Sequence, residues 1–214
     1  MRISRFVVNP IEENTYILWD EEKREAAIVD PGMMRANERN VVDEFVSKNN
    51  LSVKMVLMTH LHFDHAASAR YIADKYGVKV YGSLDDAHLG EALPTQSRMF
   101  GMEIDIKPLF IDEALHDNDV LMLADEEIKV LAVPGHSAGS VAFYLPASGV
   151  VLVGDTLFNQ GIGRTDLPGG NYRKIVQSIK EKLYTLPGET VVLPGHGGST
   201  TIDDEKNYNP YITV

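Results

Sequence analysis

The stretch Thr59-His60-Leu61-His62-Phe63-Asp64-His65 decides the reading of this chain. It gathers three histidines and one carboxylate within six residues. Val53-Lys54-Met55-Val56-Leu57-Met58, just before it, is an apolar run of strand length, and residues 66–73, just after it, read as a helix. The cluster is therefore expected on a strand-to-helix turn, at the carboxyl end of a buried strand. Neutral imidazoles and carboxylates are the usual ligands of a borderline divalent metal such as zinc. A lone histidine here would be an ordinary polar residue. Four such groups at a buried strand end need partners, and a metal is the simplest one.

Working outward, the same pattern recurs. The apolar runs at 55–58, 128–133, 150–153 and 191–193 are each followed within three residues by a candidate ligand: His60, His136, Asp155 and His196. Apolar runs of this kind read as buried strands. Aligned in sheets, their carboxyl ends meet at one edge, where α/β proteins commonly bind ligands. The collected set is His60, His62, Asp64, His65, His136, Asp155 and His196. Seven ligands are too many for one tetrahedral ion and suit two adjacent ions. Asp155, with two oxygens, is able to bridge them.

The remaining segments supply the scaffold. Residues 2–8 and 14–19 read as strands joined by a turn at Asn9-Pro10, and 26–30 as a third ending at Pro31-Gly32. Val41, Val42, Phe45 and Val46 predict a core-facing helix over 37–49, and the helix after the histidine cluster is expected to run to Tyr76 with a cap at Gly77. Short strands are expected at 78–81, 120–124, 127–133, 141–145 and 150–154. An amphipathic helix is expected at 171–184, with Ile175, Val176, Ile179 and Leu183 on one face. Residues 83–117 are the least regular part and are expected to form a functional loop or lid. His88 and His116 lie there, outside any tight cluster, and read as surface histidines.

Composition bounds the function. With 44% apolar and 24% charged residues the chain reads as a soluble globular protein. A net charge of −11 argues against nucleic-acid or anionic-membrane partners, which need a basic surface. The absence of cysteine excludes disulfides and thiolate ligands, so any metal is held by His, Asp and Glu. The first ten residues lack the apolar core of a signal peptide and no stretch reaches the length of a membrane span, so the expected location is cytoplasmic. No low-complexity linker divides the chain, and residues 1–214 are expected to form a single domain.

The chain resembles the metallo-β-lactamase superfamily along nearly its whole length. T-H-x-H-x-D-H at 59–65, P-G-H-S-A-G-S at 134–140, V-G-D-T-L-F at 153–158 and P-G-H-G at 194–197 are its successive motifs, in order. The resemblance implies an α/β fold, a four-layer αβ/βα sandwich with the metals at one edge of the two sheets. It implies His60, His62 and His136 on a first ion, Asp64, His65 and His196 on a second, and Asp155 between them. Zinc is the expected metal, with iron and manganese as alternatives.

Within the superfamily the chain is most similar to the short bacterial glyoxalase II (hydroxyacylglutathione hydrolase) group. Gly161-Ile162-Gly163-Arg164-Thr165-Asp166, Leu167-Pro168-Gly169-Gly170 and Thr200-Thr201-Ile202 carry that likeness. The implied reaction is hydrolysis of a small-molecule thioester of the S-lactoylglutathione type by a hydroxide bridging the two ions, with Asp64 orienting its proton. Arg164 is a candidate for binding a substrate carboxylate. Only 18 residues follow His196, so the C-terminal helical domain of longer glyoxalase II enzymes is not expected, and the thiol is expected to be held loosely. The alternatives are a persulfide dioxygenase using a single iron on His60, His136 and Asp155, a lactonase or nuclease of the same fold, and a non-catalytic binding protein.

Overall fold

The chain begins with β1 (Arg2–Val8), β2 (Glu13–Trp19) and β3 (Glu25–Val29), followed by α1 (Ala36–Lys48), β4 (Ser52–Leu57), α2 (Phe63–Ala66), α3 (Ala69–Tyr76) and β5 (Lys79–Gly82). This is a computed structural model, and it describes residues 1–212. A 3-10 turn at Leu84–Asp86 leads into α4 (Ala87–Glu91), α5 (Leu93–Met99) and the two-residue β6 (Glu113–Ala114). These strands form one sheet in the order β1-β2-β3-β4-β5-β6. The first three are antiparallel neighbours, and β3 to β6 run parallel.

The second half supplies β7 (Val120–Leu123), β8 (Glu126–Ala132), β9 (Val141–Leu145), β10 (Val150–Gly154) and a small hairpin of β11 (Leu157–Phe158) and β12 (Gly161–Ile162). Then come α6 (Tyr172–Ser178), β13 (Val191–Pro194), β14 (Thr200–Thr201) and α7 (Ile202–Tyr208). The second sheet has the order β14-β13-β10-β9-β8-β7.

Side-chain alternation explains why the two sheets stack. On β2, Tyr16 and Leu18 face the central core, while Ile17 faces an outer one. On β3, Ala27 and Val29 point inward, and Ala26 and Ile28 point outward. The second sheet repeats this, with Ile128, Val130, Phe143 and Leu152 inward and Ala142, Val151 and Val153 outward. A strand presents successive side chains to opposite faces, so each sheet needs cover on both sides. The sheets cover one another. Val42 and Val46 of α1 and Ile72 of α3 cover the outer face of the first sheet, and Ile175 of α6 and Ile202 of α7 that of the second. The result is four layers, helix–sheet–sheet–helix.

β10 is parallel to β13, and β9 lies antiparallel between β8 and β10, so β8, β10 and β13 share a direction. Their carboxyl ends emerge together, facing the carboxyl end of β4 from the other sheet. Gly195, just after β13, fits this convergence. A Cβ there would lie 2.3 Å from Asp155 Oδ1 and 2.5 Å from His65 Cε1.

Several local expectations change. The helix after the histidine cluster is broken, with α2 ending at Ala66 and α3 starting at Ala69. At the break, Ser68 turns inward: its N–H donates to the Pro31 carbonyl and its hydroxyl to that of Met33. The helix expected over 171–184 passes from α6 into a π-helical turn at Ile179–Leu183. Residues 83–117 are more regular than their composition suggests, because α4 and α5 pack there. Among the described residues no helix is long and apolar enough to cross a membrane.

Candidate metal centre

Each strand end delivers its side chain to one buried spot. Beyond β4, His60 and His62 flank Leu61, and Asp64 and His65 follow on α2. His136 comes from the turn after β8, Asp155 from the residue after β10, and His196 from the turn after β13. All seven are therefore brought together. The ligand atoms of His60, His62 and His136 lie within 4.8 Å of one another, as do those of Asp64, His65 and His196. Asp155 stands between these groups: its Oδ1 is 3.4 Å from His65 Nε2, and its Oδ2 is 3.7 Å from both His136 Nε2 and His196 Nε2.

The outer nitrogens of the rings are anchored, which fixes what the inner ones offer. His65 Nδ1 donates to Asp30 Oδ2 at 3.1 Å. His136 Nδ1 donates to the Arg164 carbonyl at 2.9 Å, and His196 Nδ1 to the Ile11 carbonyl at 3.1 Å. The Thr59 hydroxyl donates to Asp30 Oδ2 at 2.5 Å, which leaves its lone pairs to accept from His60 Nδ1 at 3.0 Å. A neutral ring that donates through Nδ1 presents a bare lone pair at Nε2. His62 instead turns Nδ1 inward, 2.9 Å from His136 Nε2.

The donors fit divalent cations. His60 Nε2, His65 Nε2 and Asp155 Oδ1 are buried and have no hydrogen-bond partner. Buried polar atoms without partners are costly, and three converging at one centre point to a bound ion. The electrostatics agree. Burial, reinforced by the neighbouring imidazoles, pushes His60 well below the ordinary histidine value, and burial with His136 nearby pushes His62 down to about 4. Neutral imidazole is the form that ligates metal. Burial alone would raise Asp155, but the imidazoles, His65 foremost, outweigh it and hold the carboxylate below its usual range. Conversely, burial disfavours charge on His65, yet Asp155 and Asp64 raise it well above the ordinary value. The carboxylates thus draw positive charge to this spot.

Three acidic residues of the site escaped the sequence reading. Asp30, after β3, accepts from the Thr59 N–H at 2.7 Å as well as from the Thr59 hydroxyl and His65. Glu13 is fully buried with Oε1 3.8 Å from His65 Nδ1, and burial pushes its carboxyl well above the ordinary value. Asp86 is also fully buried and accepts from Ser137 Oγ at 2.6 Å, Gly139 N at 2.7 Å and Leu61 N at 3.3 Å. It joins the turn carrying His60 and His62 to the turn carrying His136. Asp30 had one visible signal, an acid ending an apolar run; Glu13 and Asp86 had none.

The remaining candidates fall outside the cluster. His116 is exposed and lies 3.5 Å from Asp119. His88 lines a cleft of about 580 Å³ that opens over His62, Asp64, His136, Asp155 and His196. Arg164 also lines this cleft, but its guanidinium is paired with Asp166 through bonds of 2.8 and 2.7 Å.

Known proteins resemble this chain in sequence and fold. Residues 8–196 match the model of the metallo-beta-lactamase superfamily. The hydroxyacylglutathione hydrolase GloC of Haemophilus influenzae is 35% identical over 99% of this chain and 98% of its own. The crystal structure of the B3 metallo-beta-lactamase BLEG-1 superposes with a TM-score of 0.90 at 33% identity, covering 100% of both chains. TTHA1623 in a di-iron-bound form superposes with a TM-score of 0.85 at 32% identity, covering 98% of this chain and 100% of the other. With a family match over most of the chain, and full-length relatives in both sequence and structure, the protein belongs to the metallo-beta-lactamase superfamily and is a metal-dependent hydrolase of that group.

Proposed function

We propose that this hydrolase cleaves thioesters, the reaction class of the hydroxyacylglutathione hydrolases, at the centre where the seven side chains converge. The observation that carries the reading is the donor set: two groups of three ligand atoms, with the two oxygens of Asp155 directed between them. In this reading His60, His62 and His136 would hold one cation, Asp64, His65 and His196 would hold a second, and Asp155 would be available to both. When bound, such ions polarise a carbonyl oxygen and bring the ionisation of water close to neutral pH. Zinc suits four-coordinate N/O donors, and the di-iron form of TTHA1623 keeps iron as an alternative.

The chain's own groups do the rest. Asp30, Thr59 and the carbonyls of Arg164 and Ile11 hold the rings so that their inner nitrogens converge. Such outer partners fix ring orientation and tautomer. Asp64, whose Oδ2 lies 3.3 Å from His196 Nε2, would accept a proton from the attacking water. That water adds its oxygen to the acyl carbon, the carbon–sulfur bond breaks, and the products are a carboxylic acid and a thiol. A thiolate leaves readily, so little acid assistance is required of the protein.

The test is metal analysis beside an activity panel of S-lactoylglutathione, neutral thioesters, a lactone, a β-lactam and glutathione persulfide. Expected are close to two equivalents of metal and thioester cleavage that chelator abolishes and metal restores. Iron-dependent oxygen uptake with glutathione persulfide, without thioester cleavage, would overturn the proposal.

A further inference from the structure

We infer that the cleft over the metal centre selects an uncharged, apolar group on the substrate rather than an anionic peptide. The inference rests on the thioesterase reading for the bond that reacts, and on the walls of the cleft for what surrounds it. One wall is α5 and the residues after it. Met99 and Phe100 are 74% and 46% exposed at the rim, although apolar side chains of that size normally find cover. Phe100 stacks at a tilt against Phe63, with ring centroids 5.3 Å apart, and Phe63 adjoins the ligands His62 and Asp64 in the sequence. Leu89, Met102 and Leu167 extend the apolar surface.

Two polar groups in these walls, Gln96 and Arg164, are already engaged, and His88 stands beside them. Gln96 donates to the Leu61 and Leu89 carbonyls and accepts from the Phe63 N–H, so its amide holds the wall to the ligand turn. Arg164 is the one Lys or Arg lining the cleft among the described residues, and its Nε and Nη2 donate to the two oxygens of Asp166. A glutathione thioester carries two carboxylates and one ammonium. Desolvating carboxylates without a cationic or hydrogen-bonding partner is costly, whereas an alkyl or aryl group gains from every methylene removed from water. Flexible methionine is suited to apolar groups of varied shape.

The experiment uses metal-loaded protein and N-acetylcysteamine thioesters, which are neutral, with acyl groups from acetyl to hexanoyl. Their kcat/KM values are compared with that for S-lactoylglutathione. In parallel, calorimetry measures the affinity of the unreactive thioethers S-methyl- and S-hexyl-N-acetylcysteamine. Full burial of one methylene is worth about fourfold, so a rise of at least about tenfold from acetyl to hexanoyl is expected, with the hexanoyl ester ahead of S-lactoylglutathione. The thioethers should show the same order in affinity. Replacing both rim residues, Met99→Ser with Phe100→Ser, should flatten both series; because these side chains are exposed, the fold should tolerate the change. A flat chain-length series, or a glutathione ester that outpaces every neutral ester, would overturn the inference and leave the thioesterase reading standing. Thioether affinity that rises with chain length, without cleavage of any thioester, would sink the thioesterase reading and keep the apolar site.

Discussion

His65 is gripped on one side and offered on the other. Its Nδ1 is fixed by Asp30, and its Nε2 lies 3.4 Å from Asp155 Oδ1 and 3.8 Å from Asp64 Oδ2. A hydrolase that needs two cations needs this nitrogen, whereas a single-iron dioxygenase on His60, His136 and Asp155 does not. His65→Ala is therefore expected to lower kcat for thioester cleavage by about two to four powers of ten, the scale for deleting one activating element of a site. Elemental analysis of the same variant should find one metal fewer than in the parent. Retained iron together with full oxygen uptake from glutathione persulfide would instead favour the dioxygenase. His136→Ala should be severe in both readings and separates nothing. Ligands and their supports differ in how visible they are in the sequence. Histidines in a tight cluster declare themselves by spacing. A carboxylate that only steadies them, such as Asp30, reads as the polar end of a strand until the fold brings its oxygens to Thr59 and His65.

Among the elements, the 3-10 turn at Leu84–Asp86 acts as a fastener. Through Asp86 it ties the turn after β4 to the turn after β8, the two that carry His60, His62 and His136. Asp86→Ala leaves the Leu61 and Gly139 N–H groups without their carboxylate acceptor. The expected result is metal affinity lowered by about 10- to 100-fold, as for other outer partners of a metal site, measured by competition with a chelator. Unchanged affinity would show that the two turns hold their shape alone.

A second fastener joins α1 to α3. Asp43 accepts from the Tyr71 and Tyr76 hydroxyls at 2.8 Å each and pairs with Lys75 at 2.5 Å. Burial works to raise this carboxyl, but Lys75 and the two tyrosines outweigh it and hold it below its ordinary value. A carboxylate depressed in the folded state adds stability above its unfolded value, near 3.8, and loses it as pH falls through the folded value. Asp43→Asn is expected to cost about 1–2 kcal/mol at neutral pH, the scale of weakened hydrogen bonds to a charged acceptor. Urea melts should also show the gap between variant and parent narrowing below about pH 4. A gap independent of pH would mean that shape, not charge, makes the contribution.

The elements that the sequence left hidden are the short ones. β14 is two residues long, paired at Val191↔Thr201 and Val192↔Thr200, and no period can be read over such a length. The strands around the ligands were legible because burial on both faces makes them continuous apolar runs. The segment 83–117 looked irregular because α4 and α5 are five and seven residues long, too short to establish a helical stripe.

At the scale of the molecule, the centre lies where the two sheets meet. His60, His62, Asp64 and His65 follow a strand of the first sheet; His136, Asp155 and His196 follow strands of the second. Cations held by residues of both sets would fasten the sheets across their shared edge, and would together partner the buried His60 Nε2, His65 Nε2 and Asp155 Oδ1. Unfolding scatters those ligands, so metal favours the folded chain by mass action. At a free metal concentration a thousandfold above the dissociation constant, that linkage amounts to about 4 kcal/mol for one site. For a chain of this size each kcal/mol moves the melting temperature by roughly 2–4 °C. Metal-loaded protein should therefore melt roughly 8–16 °C above chelated protein, with the gap growing as free metal increases. His65→Ala should keep only part of that gap, because the first group of three histidines survives the substitution. The measurement is a thermal melt at fixed pH across a series of buffered zinc concentrations. Equal melting temperatures with and without metal would mean that metal does not bind the folded chain in preference to the unfolded one, and would overturn the metal centre.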